Sequence, residues 1–428
     1  MNILNILDLH SKKYTMHLST KRLSIILIII IWITPDSNLQ AQDSLRVMYY
    51  NILNYPGSTP ERVSHFKTVN LYIQPDILLV NELRSEDGAN ILLNEGLNVN
   101  GEDSFKKADF TDGPDSDNML FYDSTKVTLY SQDIITTELR YINEYVLYKN
   151  EPTVDTIFFY MYSAHLKASP GTVNQQKRLA EVKEFKAWID SKPIIENIFF
   201  GGDFNFYTSS EPAYDTLINY GVHMLNDPLY SGSWHDNSSY ASIHSQSTRT
   251  SQFGGGASGG LDDRFDFILY SDDVKYGTNG VNYIPNSCKS IGNDGNHFNI
   301  SIIDLPTNTN VPDSVAQALY FMSDHLPVIC DLETVVETYQ SEIIKKAIEI
   351  DIFPNPASEL LTIKIRNLSG QTNVTLINSF GLVLKKREFY NDGNSYQVDF
   401  DIADLQSGVY FVAVVSENIQ EIKKLIVY

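Results

Sequence analysis

Short apolar runs alternate with amphipathic stretches along the first three quarters of the 428-residue chain. Apolar residues recur at helical spacing over 60–73 and 174–190, which predicts two helices. The runs that we predict as strands are 45–55, 76–82, 118–123, 126–135, 157–167, 196–206, 264–271 and 326–333. Strands alternating with helices predict an α/β layered domain.

The pattern changes near the C-terminus, where short alternating strands are separated by turn residues. This pattern predicts a small all-β sandwich. The region contains no His, Cys or Trp, so it lacks an obvious catalytic inventory. We therefore predict a catalytic domain at 42–335, a linker at 336–347 and a β-sandwich domain at 348–428.

The first 41 residues are typical of a secretory signal peptide. Basic residues between positions 12 and 22 precede an apolar run at 23–34, and the small residue Ala41 follows a polar stretch. The run is shorter than the roughly 20 residues that a membrane-spanning helix needs. We predict export and no stable membrane span, with an uncleaved membrane anchor as the alternative.

Composition narrows the classes of partner. A formal charge of −21 argues against broad adhesion to nucleic acid or anionic lipid. It still allows a phosphate substrate if a bound cation supplies local positive charge. Two cysteines, Cys288 and Cys330, exclude a disulfide-dense scaffold and leave open whether they pair with each other. The oligomeric state is equally open.

Polar side chains stand at the ends of several predicted strands. Each has an ordinary structural explanation, such as a turn, a cap or an ion pair. Together they form one chemical set, because carboxylates suit a hard divalent ion and imidazoles suit proton transfer near neutral pH. Such a set fits metal-assisted attack of water on a phosphate ester. Its members are Asn51, Glu82, His165, Asp203, Asn205, Asp266, Asp324 and His325.

The motifs around these residues resemble those of the endonuclease/exonuclease/phosphatase superfamily, which includes deoxyribonuclease I, exonuclease III, sphingomyelinases and inositol-polyphosphate phosphatases. The resemblance runs in order from about residue 44 to 333. It implies a four-layer α/β sandwich, two packed sheets flanked by helices, with one active site at their shared edge. The motifs are YNILNY, VNELRS, SAHLKAS, GGDFNF, RFDFIL and SDHLPV.

The resemblance implies that Glu82 is the principal ligand of a catalytic Mg²⁺ ion, with Mn²⁺ or Ca²⁺ as alternatives. Asn51 would help to orient the metal or the phosphate. Asp324 would contribute to the same metal site or to a second cation.

The resemblance also implies the remaining catalytic roles. His325 would be the general base, with Asp266 fixing its tautomer and raising its basicity. Asp203 would orient the attacking water and Asn205 would hold the phosphate. His165 would donate a hydrogen bond to the phosphate or a proton towards the leaving oxygen.

A histidine in the SAHLK motif resembles the deoxyribonuclease I, sphingomyelinase and inositol-phosphatase branches. Apurinic-site repair nucleases usually carry a tyrosine there. The acidic partner that supports this histidine in the deoxyribonuclease I branch has no clear match. Asp115, Asp117 and Asn118 are the candidates.

The C-terminal region carries a second resemblance. The pieces FPNPA, SGVYFVAV and KKLIV occur in the order found in the type A sorting domain of the type IX secretion system. This resemblance implies a secreted or cell-surface protein that has the type IX machinery as a partner. A carbohydrate-binding module is the alternative, against which the absence of Trp counts weakly.

The leading prediction is a secreted Mg²⁺-dependent phosphodiesterase that acts on nucleic acid as an extracellular endonuclease. The segment 207–260, rich in Ser, Gly, Asn and Tyr, is predicted to border the site unless it is a flexible surface loop. Its aromatic residues Tyr230, Trp234 and Tyr240 are candidates for base stacking, and Arg249 is its candidate phosphate contact.

Three alternatives remain. Sphingomyelin or an inositol polyphosphate could be the substrate of the same site. A sphingomyelinase would need an exposed apolar element for entering lipid, for which 317–322 is the candidate. A catalytically silent surface binding protein on the same fold is the alternative of another class.

Overall fold

A computed structural model describes ten stretches of the chain. The predicted signal peptide, the predicted linker and Tyr230 lie outside the described residues. Within them, no helix combines the length and apolar character that crossing a membrane requires. The described stretches are 43–150, 156–192, 195–229, 231–252, 254–334, 349–366, 369–378, 382–392, 396–416 and 419–428.

Between residues 43 and 334 the strands and helices alternate, as the hydrophobic pattern predicted. The strands are β1 (Asp43–Tyr55), β2 (Ile77–Leu83), β3 (Phe105–Lys107), β4 (Asp117–Asp123), β5 (Val127–Ile135), β6 (Ile142–Lys149), β7 (Phe158–His165), β8 (Ile198–Asp203), β9 (Leu225–Asn226), β10 (Asp266–Ser271), β11 (Val281–Tyr283), β12 (Lys289–Ser290) and β13 (Val328–Thr334). The α-helices are α1 (Val63–Ile73), α2 (Glu86–Ile91), α3 (Thr172–Ser191), α4 (Pro212–Asn219), α5 (Asp272–Tyr276) and α6 (Asp313–Met322). A π-helical stretch follows α2, and 3-10 turns occupy Pro60–Arg62 and Ser238–Ile243.

The strands form two mixed sheets. The first has the order β11-β13-β1-β2-β4-β3, with β12 beside β13, and the second has the order β5-β6-β7-β8-β10-β9. The pairs β1–β2 and β7–β8 are parallel, and the neighbouring pairs are antiparallel. The parallel pairs bring the ends of β1, β2, β7 and β8 to one edge, where the predicted site residues lie.

The inner faces of the two sheets pack against each other. Tyr49 of the first sheet is fully buried and donates a hydrogen bond from its hydroxyl to the carbonyl of Tyr162 in the second, at 3.0 Å. Phe66 of α1 and Leu319 of α6 belong to the same buried cluster as the first sheet. Phe185 of α3 belongs to the cluster on the second sheet. Helices and sheets therefore form the predicted four-layer sandwich.

The segment 207–260 differs from the flexible loop that its composition allowed. It contains α4, β9 and a 3-10 turn, and its stretch 243–249 is largely buried. Helix α6 was also not among the helices predicted from the sequence. The candidate lipid-entry element 317–322 is part of α6, with Leu319 and Met322 fully buried, so this stretch is a helix and not an exposed apolar hairpin.

Cys288 and Cys330 form a disulfide, with their Cα atoms 4.2 Å apart. The bond joins the residue before β12 to the middle of β13, next to the register pair Lys289–Ile329. Both cysteines lie in the buried cluster of the first sheet, which answers the pairing question that the sequence left open.

The C-terminal region is all β, as predicted. A three-stranded antiparallel sheet has the order β14-β15-β18, and a four-stranded one has the order β17-β16-β19-β20. Apolar residues of both sheets, such as Ile363 and Val412, share one buried cluster. The strands are β14 (Glu349–Phe353), β15 (Leu360–Arg366), β16 (Ser369–Asn378), β17 (Val383–Asp392), β18 (Tyr396–Asp401), β19 (Gly408–Ser416) and β20 (Ile419–Val427).

Candidate active site

The corner after β8 depends on two glycines. A Cβ atom at Gly201 would lie 2.6 Å from the carbonyl oxygen of Phe267, and one at Gly202 would lie 2.2 Å from that of Ala164. Gly202 also has a φ of +125°, which side chains with a Cβ rarely adopt. The glycines therefore let β8 approach its neighbours closely and deliver Asp203 to the edge of the sheet.

Glu82 lies near the end of β2 in a strained conformation. Its φ of 61° falls in the left-handed region, which is unfavourable for a residue with a long side chain. The β2–β4 register shifts between Val80 and Leu83, so the strand is irregular here. The carboxylate accepts hydrogen bonds from Asn51 Nδ2 at 2.9 Å and from the Asn54 backbone N–H at 3.0 Å. Strain at this position is typical of a functional ligand.

Asn51 connects the carboxylates of the two sheets. Its Nδ2 also donates to Asp203 Oδ2 at 3.0 Å, and its side chain is fully buried. The backbone carbonyl of Asn51 accepts a hydrogen bond from Ser323 Oγ at 2.6 Å. Asn51 therefore fixes Glu82, Asp203 and the SDHLPV corner relative to one another.

His325 and Asp266 form the predicted dyad across the two sheets. His325 Nδ1 lies 2.8 Å from Asp266 Oδ2, and His325 Nε2 lies 3.5 Å from Asp203 Oδ2. Ser245 Oγ donates to Asp266 Oδ2 at 2.6 Å. The dyad is almost completely buried, and Asp266 orients the imidazole so that its Nε2 contacts Gln246 Nε2 at 2.6 Å with the Asp203 carboxylate next to it.

Asn205 completes the GDFN corner. Its backbone has a φ of 53°, and its Nδ2 donates to Asp203 Oδ1 at 2.8 Å and to the Leu166 carbonyl at 3.3 Å. The carboxamide is thus held beside Asp203, where a small turn of the side chain could redirect its N–H groups to a ligand.

His165 lies on the other side of Asp203. Its Nε2 is 3.5 Å from Asp203 Oδ2 and its Nδ1 is 3.9 Å from Glu82 Oε1. Nδ1 is buried and has no hydrogen-bond partner among the described residues. A buried polar atom of this kind needs a ligand or water to satisfy it.

None of the three candidate partners bonds to His165. Asp115 pairs with Arg84 and Arg140, and Asp117 accepts from the Gly113 N–H. Asn118 bonds to other residues of the buried interface, including the Ser163 carbonyl. The carboxylate nearest to Nδ1 is instead that of Glu82.

The donor set fits a divalent cation. Ligand atoms of Glu82, His165 and Asp203 lie within 4.8 Å of one another. Burial, with the Asp324 carboxylate as the second cause, raises the pKa of Glu82. Burial likewise raises the pKa of Asp203 to about 7, against the lowering effect of the His325 imidazole. A cation among these carboxylates would offset the cost of their charges.

The two carboxylate oxygens of Asp324 have different surroundings. Its Oδ2 accepts from the Ala257 N–H at 2.6 Å and from Gln246 Nε2 at 3.2 Å. Its Oδ1 is buried and has no partner among the residues that the structure describes. One oxygen is therefore still available to a cation or an ordered water.

The structure describes three of the residues that we predicted as substrate contacts in the segment 207–260. Arg249 is fully buried, and its Nη2 donates to the Tyr320 carbonyl at 2.7 Å, so its guanidinium is held inside the protein. Trp234 is fully buried and donates to the Phe206 carbonyl, so the prediction that it stacks on a base was wrong. Tyr240 is half-buried and stays a prediction.

Sequence reasoning missed three polar residues that hold the cluster. Ser245 supports Asp266, Gln246 contacts Asp324, and Ser323 supports Asn51. Ser323 belongs to the SDHLPV motif, so the motif itself could have pointed to it. Ser245 and Gln246 lie in a Ser-rich stretch without a strand pattern, where no local signal separates them from loop residues.

With this geometry described, the comparisons with known proteins identify the family. Residues 48–325, more than half of the chain, match the family model described as the Endonuclease/Exonuclease/phosphatase family. The chain belongs to this family. Residues 351–428 match the model described as the secretion system C-terminal sorting domain. This tail indicates export by type IX secretion to the surface or the medium.

Solved structures of similar fold come from several organisms. D. rerio TDP2 complexed with a single-strand DNA product has 15% identity and a TM-score of 0.46, covering 68% of this chain and all of that one. The human Nocturnin catalytic domain has 20% identity and a TM-score of 0.43, covering 69% and 98% of the two chains.

A further structure is an endonuclease/exonuclease/phosphatase from Beutenbergia cavernae DSM 12333, with 12% identity and a TM-score of 0.39, covering 89% of this chain and all of that one. No curated protein matches the sequence. At these identities no substrate is carried over from any relative.

Proposed function

We propose that this protein is a secreted, divalent-metal-dependent phosphodiesterase whose substrate is a nucleic acid. The observation that carries the proposal is the buried contact of the His325–Asp266 dyad with Asp203, beside the carboxylate of Glu82. A base, an oriented carboxylate and a set of metal ligands are the parts that water attack on a phosphodiester needs.

His325 is the general base in this proposal. Asp266 accepts the Nδ1–H, which leaves the Nε2 lone pair to take a proton from water. Burial opposes charge on the imidazole, but the carboxylates of Asp266, Asp203 and Asp324 outweigh it and raise the pKa of His325. The same carboxylates therefore stabilise the imidazolium that forms when the proton arrives.

Asn205 and His165 bind the phosphoryl oxygens. The Asn205 carboxamide lies beside Asp203, and the buried His165 ring lies within 4 Å of both Asp203 and Glu82. Glu82 and Asp203 would hold the cation, with Asn51 orienting them. A bound divalent cation supplies charge stabilisation for the phosphoryl group, worth several kcal/mol in such sites.

A basic rim beside His165 supports a polyanionic substrate. We define this rim by Arg84, Arg140 and Lys167, with Asp115 as the acidic residue between the two arginines. Arg140 Nη1 also donates to the His165 carbonyl at 3.3 Å, so the rim adjoins the site. Flanking phosphates of a nucleic acid need such charges, whereas a zwitterionic lipid headgroup does not.

An inositol polyphosphate is the second candidate, because several phosphates on one ring would also contact the basic rim. A sphingomyelin substrate has less support, since the apolar residues Ala318, Leu319 and Met322 of the candidate lipid-entry element 317–322 are buried in α6.

The test is hydrolysis by the full chain with Mg²⁺ on duplex DNA, RNA, sphingomyelin and an inositol polyphosphate, side by side. We expect nucleic acid to be cleaved and His325→Ala to slow the cleavage by about 10³-fold. Turnover of only sphingomyelin or only the inositol phosphate would reject the nucleic-acid substrate and keep the mechanism. No hydrolysis of any substrate with Mg²⁺, Mn²⁺ or Ca²⁺ would reject the phosphodiesterase and favour the silent binding protein.

A further inference from the structure

Gln246 from the segment 207–260 reaches the reacting atoms of the proposed mechanism. Its Nε2 lies 2.6 Å from Nε2 of His325 and 3.2 Å from Oδ2 of Asp324. The other imidazole nitrogen of His325 is bound to Asp266. The Gln246 carboxamide therefore occupies the one remaining hydrogen-bonding position of the base.

The backbone of Gln246 is fixed on both sides. Its N–H donates to the Asp263 carbonyl at 3.0 Å, and its carbonyl accepts from the Asp262 and Asp263 N–H groups at 2.9 and 2.8 Å. The backbone of the neighbouring Ser245 is also held: its N–H donates to the Asp263 carbonyl, and its carbonyl accepts from the Leu326 N–H, both at 2.7 Å. Because this backbone is held and the Gln246 side chain is only half-buried, the carboxamide can move by rotation about the side-chain torsions alone.

A base must have a free lone pair when water arrives, so the contact between Gln246 and His325 cannot persist during the reaction. The displaced carboxamide would remain anchored beside Asp324 in a largely buried site. A polar group that loses one partner in such a place needs another. The group that enters at that moment is the substrate phosphate with its water.

We propose that Gln246 is a phosphate-binding residue of this site. In the free protein its carboxamide covers Nε2 of His325, and on substrate binding it turns and donates an N–H to a phosphoryl oxygen. This inference rests on the proposed phosphodiesterase function and adds a residue from the segment 207–260 to the groups that touch the substrate.

The experiment compares Gln246→Ala and Gln246→Glu with the wild type, in the full chain. The readouts are KM and kcat for bis(p-nitrophenyl) phosphate with Mg²⁺, and the inhibition constant of inorganic phosphate. Gln132→Ala is the matched control. Gln132 is also half-buried and its carboxamide also makes hydrogen bonds, but it lies on β5 and its partners are the backbone N–H and carbonyl of Asp109.

We expect Gln246→Ala to weaken phosphate inhibition and raise KM, each about tenfold, with a smaller change in kcat, because one hydrogen bond to a charged oxygen is lost. Gln246→Glu should weaken phosphate inhibition further, because a carboxylate would face the phosphate. Gln132→Ala should resemble the wild type. Thermal unfolding of each variant shows that the fold is retained, and Gln246→Met replaces the alanine variant if that one does not fold.

Three results would overturn the inference. They are an unchanged phosphate inhibition constant in Gln246→Ala, a faster Gln246→Ala enzyme, which would make Gln246 a mere obstruction, or a fall in kcat alone, which would make it only a support for His325. An inactive wild type that also ignores phosphate would instead reject the proposed function itself, so the two failures are distinguishable.

Discussion

The two histidines of the site are buried to the same depth but have opposite surroundings. His325 and His165 are exposed by only 2% and 6%, so burial favours the neutral form of both. Around His325 the carboxylates of Asp266, Asp203 and Asp324 outweigh burial and raise its pKa. For His165, burial and then the charges of Arg140, His325, Lys167 and Arg84 lower the pKa well below its usual value.

Neighbouring charge, rather than depth, therefore distinguishes the two histidines in the proposed mechanism. In the proposed mechanism, the carboxylates around His325 favour its protonated form, which suits a general base. The half around His165 keeps the imidazole neutral beside a basic rim, which suits hydrogen bonding to a phosphoryl oxygen. The role of His165 as a proton donor, which the sequence left open, is disfavoured by this environment.

The largest expected effect comes from removing the base. His325→Ala should lower kcat on duplex DNA with Mg²⁺ by about 10³-fold, because general base catalysis typically contributes 10²–10⁴-fold. The control is His223→Ala, since His223 lies in the loop before β9, where its backbone N–H donates to Asp190 Oδ1. A rate within tenfold of the wild type for His325→Ala would remove the base role and the contrast between the histidines.

A smaller effect is expected from the neutral histidine. His165→Ala should lower kcat about 10²-fold, because it removes one hydrogen-bond donor to the phosphoryl group. Each histidine variant is also combined with Asp266→Asn. The losses of activation free energy should be additive for His165→Ala with Asp266→Asn and not additive for His325→Ala with Asp266→Asn. Coupling of His165 to Asp266 as strong as that of His325 would contradict separate roles for the two halves.

The smallest effect is expected at the basic rim. Arg84→Gln should raise KM for duplex DNA a few-fold with kcat unchanged, and should reduce the slope of log affinity against log salt by about 1, because one phosphate contact is lost. Lys275→Ala, which removes a positive charge from α5, is the control for the effect of net charge on the salt slope. An unchanged salt slope in Arg84→Gln would mean that the rim does not contact the substrate.

Strand ends could be predicted from the sequence because apolar runs define where each strand stops. Glu82 and Asp203 follow from that rule, whereas Asp266 begins β10 and His325 precedes β13, so those two depended on the family motifs. The structure brings the four residues together. The pairing that unites them joins residues far apart in the chain, such as His325 and Asp266. Proximity of this kind came from the resemblance, since no local pattern encodes it.

The segment 207–260 could not be predicted in the same way. Its order comes from polar contacts to distant residues, such as Asn293 Nδ2 donating to the carbonyls of Ala241 and His244 at 2.7 and 2.8 Å. Ser, Gly and Asn in a sequence indicate a loop whether or not such partners exist. For the same reason the burial of Arg249 and the position of Gln246 beside His325 were not visible from composition.

The most direct test of the central claim is Mg²⁺ binding and Mg²⁺-dependent hydrolysis measured on the same protein after chelation, for the wild type and Glu82→Gln. We expect no hydrolysis without metal, saturable recovery with Mg²⁺, and a metal requirement at least about tenfold higher in Glu82→Gln, because a charged ligand is replaced by a neutral one. Full activity after chelation, or equal Mg²⁺ affinity in the two proteins, would contradict it.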